Sequence, residues 1–462
     1  MSFTDKYTKV FKYLLPAPFT IAISLTVITF LIAFFSTRPD TESFSEYSIQ
    51  LLKYWEEGLW NSGLLVFAIQ MMLMLVLGHV LALTKPVNYI ISLAVKSCNN
   101  TAKAAALITL LTVMVSLFNW GLGLIFGAIF ARKVAEHATQ LKLKINYPII
   151  GAAGYSGLMV WHGGLSGSSL AKIAEPGHLK EMMVGILPEE QILALPETIS
   201  YSETVFSDMN IFVTALLLVI LPLAMYWMGK RTINTLQNVS DNEVKETLSK
   251  IEGAEKLDHS ALFSWFFGGV ILFYVGYKIA IDYNFGLWNF FTPNNINLLL
   301  LSLAIILHKS FYNFIKAIDK AIGGASGILI QFPLYFGIMG IMKSSGLVTD
   351  ISAFFVQISN ETTYPIFTFL SAGLVNIFVP SGGGQWAVQG PIIVQAANEL
   401  GISLPKSIMA LAYGDQLTNM LQPFWALPLL GITGLKAKEI LPYTLFLMII
   451  GTVIYLTGLL IF

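Results

Sequence analysis

A chain of 462 residues that is 55% hydrophobic and only 12% charged is too apolar for a soluble domain, in which about 25% of residues are charged. Its formal net charge of zero excludes a partner recruited by bulk electrostatics, nucleic acid above all, and its single cysteine, Cys98, excludes an intrachain disulfide. The composition is that of an all-α polytopic membrane protein.

A spanning helix needs roughly 20 apolar residues. The first candidate covers residues 15–35, behind Lys6, Lys9 and Lys12. It is too long for a signal-peptide core and lacks a small-residue cleavage site, so it reads as a retained helix with the N-terminus cytoplasmic. An acidic loop follows (Asp40, Glu42, Glu46, Glu56, Glu57), then a helix over 62–83 and a surface-lying stretch over 86–103. Residues 104–131 are apolar but carry Asn119-Trp120-Gly121-Leu122-Gly123. Positive clusters flank this stretch on both sides, Lys85, Lys96 and Lys103 before it, Arg132, Lys133, Lys142 and Lys144 after it. Positive loops stay inside, so a re-entrant hairpin is predicted here. Residues 146–169 form a broken helix interrupted at 161–168, 171–208 an acidic outer loop, and 210–228 a return crossing. The charged stretch 230–260 reads as a cytoplasmic linker between a first membrane repeat (1–229) and a second (261–462).

The second half continues with helices over 261–281, 296–307 and 322–341. A second hairpin covers about 364–397, a second broken helix about 407–431, and a last helix 441–462. The expected total is nine spanning helices and two hairpins, with the C-terminus periplasmic. The second hairpin is the strongest single signal. Pro380 removes a backbone donor, and Gly382, Gly383 and Gly384 favour non-helical backbone. In lipid an unpaired backbone group costs several kcal/mol, so such a break survives only inside protein or beside a watery cavity. A soluble turn would lack the apolar flanks, and a proline kink would need neither three glycines nor two glutamines. Within a hairpin, the outgoing helix directs its first N–H groups at the tip, where they suit an anion.

The two halves share a pattern. Val115-Ser-Leu-Phe118 precedes the first tip and Val375-Asn-Ile-Phe378 the second, 260 positions on (375 − 115). Gly154-Tyr155-Ser156-Gly157 resembles Ala412-Tyr413-Gly414-Asp415, 258 positions on (413 − 155). This order, with an odd helix between the halves, is that of inverted-repeat transporters, whose site lies where the broken helices meet. The run from Asn376 to Pro391, with Tyr413-Gly-Asp-Gln-Leu-Thr-Asn-Met-Leu-Gln-Pro-Phe-Trp425, closely resembles the bacterial short-chain fatty acid transporter family, within the ion transporter superfamily of scaffold-and-elevator carriers. The resemblance covers essentially the whole chain. It implies a dimeric secondary carrier of small monocarboxylates of the butyrate or acetoacetate type in the bacterial inner membrane.

A bound carboxylate needs fixed donors in a dry frame. Ser381, Gly382, Gly383 and Gln385 are the expected donors at one tip, Asn119, Gly121 and Gly123 at the other. Ser166, Gly167 and Ser168, with Thr418, Asn419 and Gln422, would close the site. Trp120, Trp386 and Trp425 suit walls for a short acyl tail, and equally suit packing or an interface belt. Ser166 and Ser168 fit either ligand contact or helix–helix hydrogen bonds. Asp415, in the middle of an apolar segment, points to an ion or proton pathway or else to a structural ion pair. His162, at the other break, is a candidate proton site or a hydrogen-bonded core residue. The coupling ion would be H+ or Na+, with no resident cofactor or metal. No Walker loop, nucleophile elbow or His/Cys cluster suggests an enzyme. A passive anion channel or uniporter is the alternative to a carrier.

Overall fold

The structure is a computed structural model that describes residues 17–184, 187–236, 253–282, 290 and 292–462. The basic N-terminal lysines and residues 237–252 of the expected linker lie outside the described residues. In chain order the first half comprises α1 (Pro18–Ser36), α2 (Phe44–Leu59), α3 (Ser62–Ala82), α4 (Lys85–Val95), α5 (Thr101–Phe118), α6 (Trp120–Gln140), β1 (Lys144–Ile145), α7 (Tyr147–Tyr155), α8 (Ser168–Ile173), α9 (His178–Met182), α10 (Glu189–Ala194) and α11 (Asp208–Arg231). Then follow β2 (Thr235–Leu236), α12 (Glu255–Asp258), α13 (Ala261–Tyr277), α14 (Pro293–His308), α15 (Phe311–Ala321), α16 (Ser326–Ser344), α17 (Leu347–Gln357), α18 (Tyr364–Phe378), α19 (Gly382–Glu399), α20 (Leu404–Thr418), α21 (Pro423–Thr433) and α22 (Ala437–Ile461). The two short strands pair antiparallel, Lys144 opposite Leu236. Among the described residues, seven helical stretches are long and apolar enough to cross a membrane.

Polar residues at the helix starts set the boundaries. Asn61, Asn100, Asn119, Asn146, Ser207 and Ser381 each accept a first-turn N–H, which satisfies donors that a helix cannot pair internally. Ser43 and Glu46 form a reciprocal capping box at the start of α2. That helix corrects the expected acidic loop: Tyr47, Leu51 and Gly58 are its buried stripe, and the glutamates occupy its exposed side. Between the expected helices 296–307 and 322–341, the stretch with Lys316 and Lys320 is likewise a helix, the amphipathic α15, burying Phe314, Ala317 and Ala321. In both, the apolar residues recur at helical spacing between charges and so form no continuous run.

Each expected hairpin is a pair of helices folded back on one another. In the first, Gly123 faces Ser116 and Gly127 faces Thr112 across the pair. In the second, the Gln385 side-chain amide donates to the Ala372 carbonyl at 2.8 Å, and the Tyr364 hydroxyl donates to the Ile393 carbonyl at 2.8 Å. The helices run longer than expected, 101–140 and 364–399. The breaks are shorter. Only Asn119 interrupts the first, and residues 379–381 the second. Gly382–Gly384 are therefore helical, the opening turn of α19, and not the unwound segment; Val379, Pro380 and Ser381 supply that.

The first broken helix leaves α-helical geometry at Ser156, earlier than the expected 161–168, and the second is interrupted at 419–422. After α7 the chain passes through two tight turns, Ser156–Met159 and Trp161–Gly163, before α8. Between α20 and α21 stand a single turn, Asn419–Leu421, and the extended Gln422. Two groups of helices result. In one, α1 and α2 pack on α16, α14 and α15 pack on α3, and α13 packs on α14. The other gathers α5–α8, α11 and α18–α22. Backbones touch where side chains are absent. A Cβ on Gly127 would lie 2.0 Å from the Gly154 carbonyl oxygen, and one on Gly58 2.3 Å from that of Phe336.

Candidate functional site

The two broken helices meet where a buried histidine faces a buried carboxyl group. His162 Nδ1 stands 3.3 Å from Asp415 Oδ2, with the side chains 0% and 1% exposed. The frame fixes which ring nitrogen carries hydrogen. The Ser169 backbone N–H points at His162 Nε2 at 3.1 Å, so Nε2 accepts, and a neutral ring carries its proton on Nδ1, toward Asp415. The His162 and Gly163 backbone N–H groups both donate to Gln416 Oε1, at 2.8 and 3.0 Å, and Gln416 Nε2 donates to the Tyr455 hydroxyl at 2.9 Å. Tyr455 in turn donates to the Met159 carbonyl. On the far side Asn210 binds the Gly163 carbonyl and accepts from the Tyr413 hydroxyl, both at 2.9 Å. Carbonyls and amides freed by the two breaks are thus paired by side chains from α11, α20 and α22, as buried backbone requires.

Asn376 of α18 clamps the other break. Its amide nitrogen stands 2.6 Å from the Asp415 carbonyl oxygen, 2.9 Å from Thr418 Oγ1 and 2.9 Å from Asn419 Oδ1. Gln422 Nε2 donates to the Asn376 carbonyl, and the Tyr155 hydroxyl donates to the Asn419 carbonyl at 2.8 Å. Oxygen acceptors nevertheless remain over. Asp415 Oδ2, Asn376 Oδ1, Gln422 Oε1 and Gln385 Oε1 are buried with no hydrogen-bond partner. Such groups carry a desolvation cost of about 1–3 kcal/mol each and call for an explanation.

The residues singled out in the sequence fall into three sets. Asp415, His162, Thr418, Asn419 and Gln422 come together as described. Ser381, Gly382, Ser166 and Ser168 converge on the segment 161–168, which lies between the two hairpins. Trp120 N–H donates to Ser166 Oγ at 3.0 Å, and Leu165 N–H to the Leu117 carbonyl at 2.9 Å, which fixes the first tip to that segment. A Cβ on Gly382 would lie 2.8 Å from the Trp161 ring, 3.0 Å from His162 Cε1 and 3.3 Å from Ser168 Oγ, which places the second tip against its other side. Gly167 has no room either, 2.1 Å from the His162 carbonyl oxygen. At α19 Ser381 Oγ caps the Gly384 N–H at 3.1 Å, and the N–H groups of Gly382 and Gly383 have no helical partner.

The third set stands elsewhere. Asn119 caps the Leu122 N–H at 3.0 Å and is buried, Gly121 packs on Met74, and Gly123 packs on Ser116. Gln385 holds Ala372 and Gln389 inside the second hairpin. Trp120 and Trp425 do meet, their ring centres 5.2 Å apart, with Trp161 5.8 Å from Trp120. Trp386 turns away from them, and its indole N–H donates to His178 Nε2 at 3.1 Å. Sequence reading passed over Asn376, Gln416, Asn210 and Tyr155 as site members. The available signal was a set of amide and hydroxyl side chains inside apolar segments, which seldom stand there without a partner.

Over residues 2–462 the sequence matches the family described as short chain fatty acid transporter. An Escherichia coli (strain K12) protein is 36% identical over 454 residues, covering 97% of this chain and 96% of its own. A Haemophilus influenzae protein is 36% identical over 463 residues, covering 98% and 97%. Both bear the name "Putative short-chain fatty acid transporter". Among solved structures, the Alcanivorax borkumensis YdaH transporter aligns with TM-score 0.42 at 14% identity, covering 96% of this chain and 98% of its own. The Neisseria gonorrhoeae MtrF structure aligns with TM-score 0.40 at 14% identity, covering 97% of each. With its apolar helices and these relatives, the chain is an integral membrane protein, and it belongs to the short chain fatty acid transporter family.

Proposed function

We propose that the chain is a cation-coupled secondary carrier of short-chain monocarboxylates in the bacterial inner membrane, working by elevator-type alternating access rather than by catalysis. The observation that carries the reading is the buried His162–Asp415 pair where the two broken helices meet. An intramembrane carboxylate is expensive and marks an ion or proton pathway. The leftover oxygens of Asp415, Asn376 and Gln422 form a donor set suited to a hard cation such as Na+. The Nδ1–H of His162 beside Asp415 suits a proton equally well. The substrate carboxylate fits the first-turn N–H groups of Gly382 and Gly383 beside Ser168, where the helix dipole favours an anion. Trp120, Trp161 and Trp425 supply apolar walls nearby.

Spacing supports an inverted repeat with two re-entrant hairpins. α3, α4, α5 and α6 begin 264, 262, 263 and 262 residues before α16, α17, α18 and α19 (326 − 62, 347 − 85, 364 − 101, 382 − 120). Under this reading the helices around α3 and α16 are the scaffold, and α5–α8 with α18–α21 are the moving body. The repeats cover 1–229 and 261–462, the linker lies inside, and two copies pair through their scaffolds.

The test is uptake of radiolabelled butyrate into proteoliposomes under imposed proton or sodium gradients, applied separately. Accumulation driven by one of them supports coupling. Large non-saturating flux that neither gradient concentrates indicates a passive channel instead. Asp415→Asn keeps the size and hydrogen bonding of the side chain but not its charge. It is expected to abolish accumulation while butyrate exchange persists. Normal gradient-driven accumulation by this variant rules out the coupling role.

A further inference from the structure

A cavity of about 350 Å³ lies beside the second tip, lined by the start of α19 and by α2, α3 and α16. Small-molecule sites fall at roughly 300–1,000 Å³. The cavity is two-faced. Phe336, Met339, Val379 and Val388 make an apolar side. Lys343, Tyr54, Asn61 and Glu57 stand on the polar side. Among the described residues no carboxylate lies within ion-pair distance of Lys343, although Glu57 shares its cavity. The Asn61 side-chain oxygen is committed to the Leu64 N–H at 3.0 Å, which leaves its amide N–H groups as donors. The floor is closed by backbone, since a Cβ on Gly340 would lie 2.2 Å from the Tyr54 carbonyl oxygen. Gly384 and Gln385 of the tip belong to the same lining, so the cavity reaches the helix turn that carries Gly382 and Gly383.

We propose that this cavity is an entry site for the monocarboxylate, with Lys343 as its charge-selecting residue and the Phe336–Met339–Val388 wall receiving the acyl chain. The inference rests on the transport reading given above and adds where the anion is first sorted. An ammonium in the lining attracts a carboxylate and discriminates against the isosteric neutral amide, because a charge-assisted hydrogen bond is roughly twice as strong as a neutral one. Glu57, in the same lining, works against the anion and sets a limit on how tightly it is held. Weak holding is what an entry site needs, since the substrate has to move on to the tip.

The experiment measures the concentration dependence of butyrate uptake into proteoliposomes for the full chain, Lys343→Gln, Lys343→Arg and Glu57→Gln, with butyramide as competitor. Lys343→Gln is expected to raise KM roughly tenfold with little change in kcat, and to reduce the preference for butyrate over butyramide by a similar factor. Lys343→Arg is expected to keep both near wild type, and Glu57→Gln to lower KM. Lys343→Cys in a Cys98→Ser background adds a fold-independent check. An aminoethyl thiol reagent, which rebuilds a cation, should restore the KM, a sulfonatoethyl reagent should not, and butyrate should slow both modifications. Wild-type KM and selectivity in Lys343→Gln, or equal effects of the two reagents, overturn the entry site while the transport reading stands. Absence of butyrate uptake by the unmodified chain overturns the transport reading itself.

Discussion

The two helix–break–helix units are built alike and finished differently. Both tips end on a polar residue in extended backbone that caps the next helix, Asn119 at φ −150° and Ser381 at φ −155°. The first tip is sealed. Asn119 is 2% exposed, and Trp120 lies under Trp425, Trp161 and Phe67. The second is open. Gly383 is exposed, and Gly384 faces a cavity. Glycine does a different job in each. Gly123 and Gly127 let helices of the first unit touch their neighbours, whereas Gly382 lets the second tip reach Trp161 and His162. The tip of one unit is packed inside protein, and the tip of the other borders a cavity.

The largest expected effect tests the sealed unit. In Gly127→Ala the added carbon would lie 2.0 Å from the Gly154 oxygen and 2.8 Å from its carbon. Both are backbone atoms that cannot swing aside, so thermal unfolding in detergent should show a loss of about 1–3 kcal/mol. A melting curve like that of wild type would mean that the two helices are not seated as described.

Next in size is a contrast at the open tip. Gly382→Ala pushes on two rings and a hydroxyl, and butyrate uptake should fall by roughly tenfold or more, since a displacement near 1 Å at a reacting site costs that much or more. Gly383→Ala meets only Ser168 Cβ at 3.9 Å and should stay near wild type. Equal effects would erase the distinction between a packed and an open glycine. Gly382 and not Gly383 is the packed position, because the glycines are helical and successive ones point about 100° apart.

A smaller effect concerns how the second unit is held. Trp386→Phe removes the N–H that binds His178 together with part of a buried ring, so the loss should exceed the roughly 0.5–1.5 kcal/mol of the hydrogen bond itself. A double-mutant cycle with His178→Phe should return that coupling; additive losses would deny the bond.

The smallest effect is a pH dependence at the same bond. His178 must be neutral at Nε2 to accept. Burial and then Lys172 hold its pKa below the ordinary 6.5, while Glu175 and Glu181 act in the opposite sense. The unfolded chain therefore binds the proton at higher pH than the folded one. The stabilisation is complete above about 6.5 and is lost as pH falls through the lowered folded value. Unfolding between pH 5 and 7.5 should show a modest acid-side loss in wild type that His178→Phe lacks.

Sequence alone determined the class of the molecule, the positions of the long apolar helices and the two pairs of breaks. Those features are local: length, hydropathy, Pro380 and the Asn and Ser caps act within a few residues of themselves. It also identified Asp415 and His162 one at a time, since a charge or an imidazole in an apolar run is conspicuous anywhere. Amphipathic α2 and α15 escaped because they are short and their charges interrupt any continuous apolar run, although apolar residues outnumber charges in both. Only the tertiary structure decided that Asp415 meets His162 across 253 positions (415 − 162), that Asn376 binds the broken end of α20, and that Trp386 leaves the aromatic cluster for His178. It alone brought Lys343 of α16 and Glu57 of α2 to one cavity. Such pairings depend on how helices distant in sequence cross, and that is set by where glycines let backbones touch and where buried amides find partners, neither of which any single segment encodes.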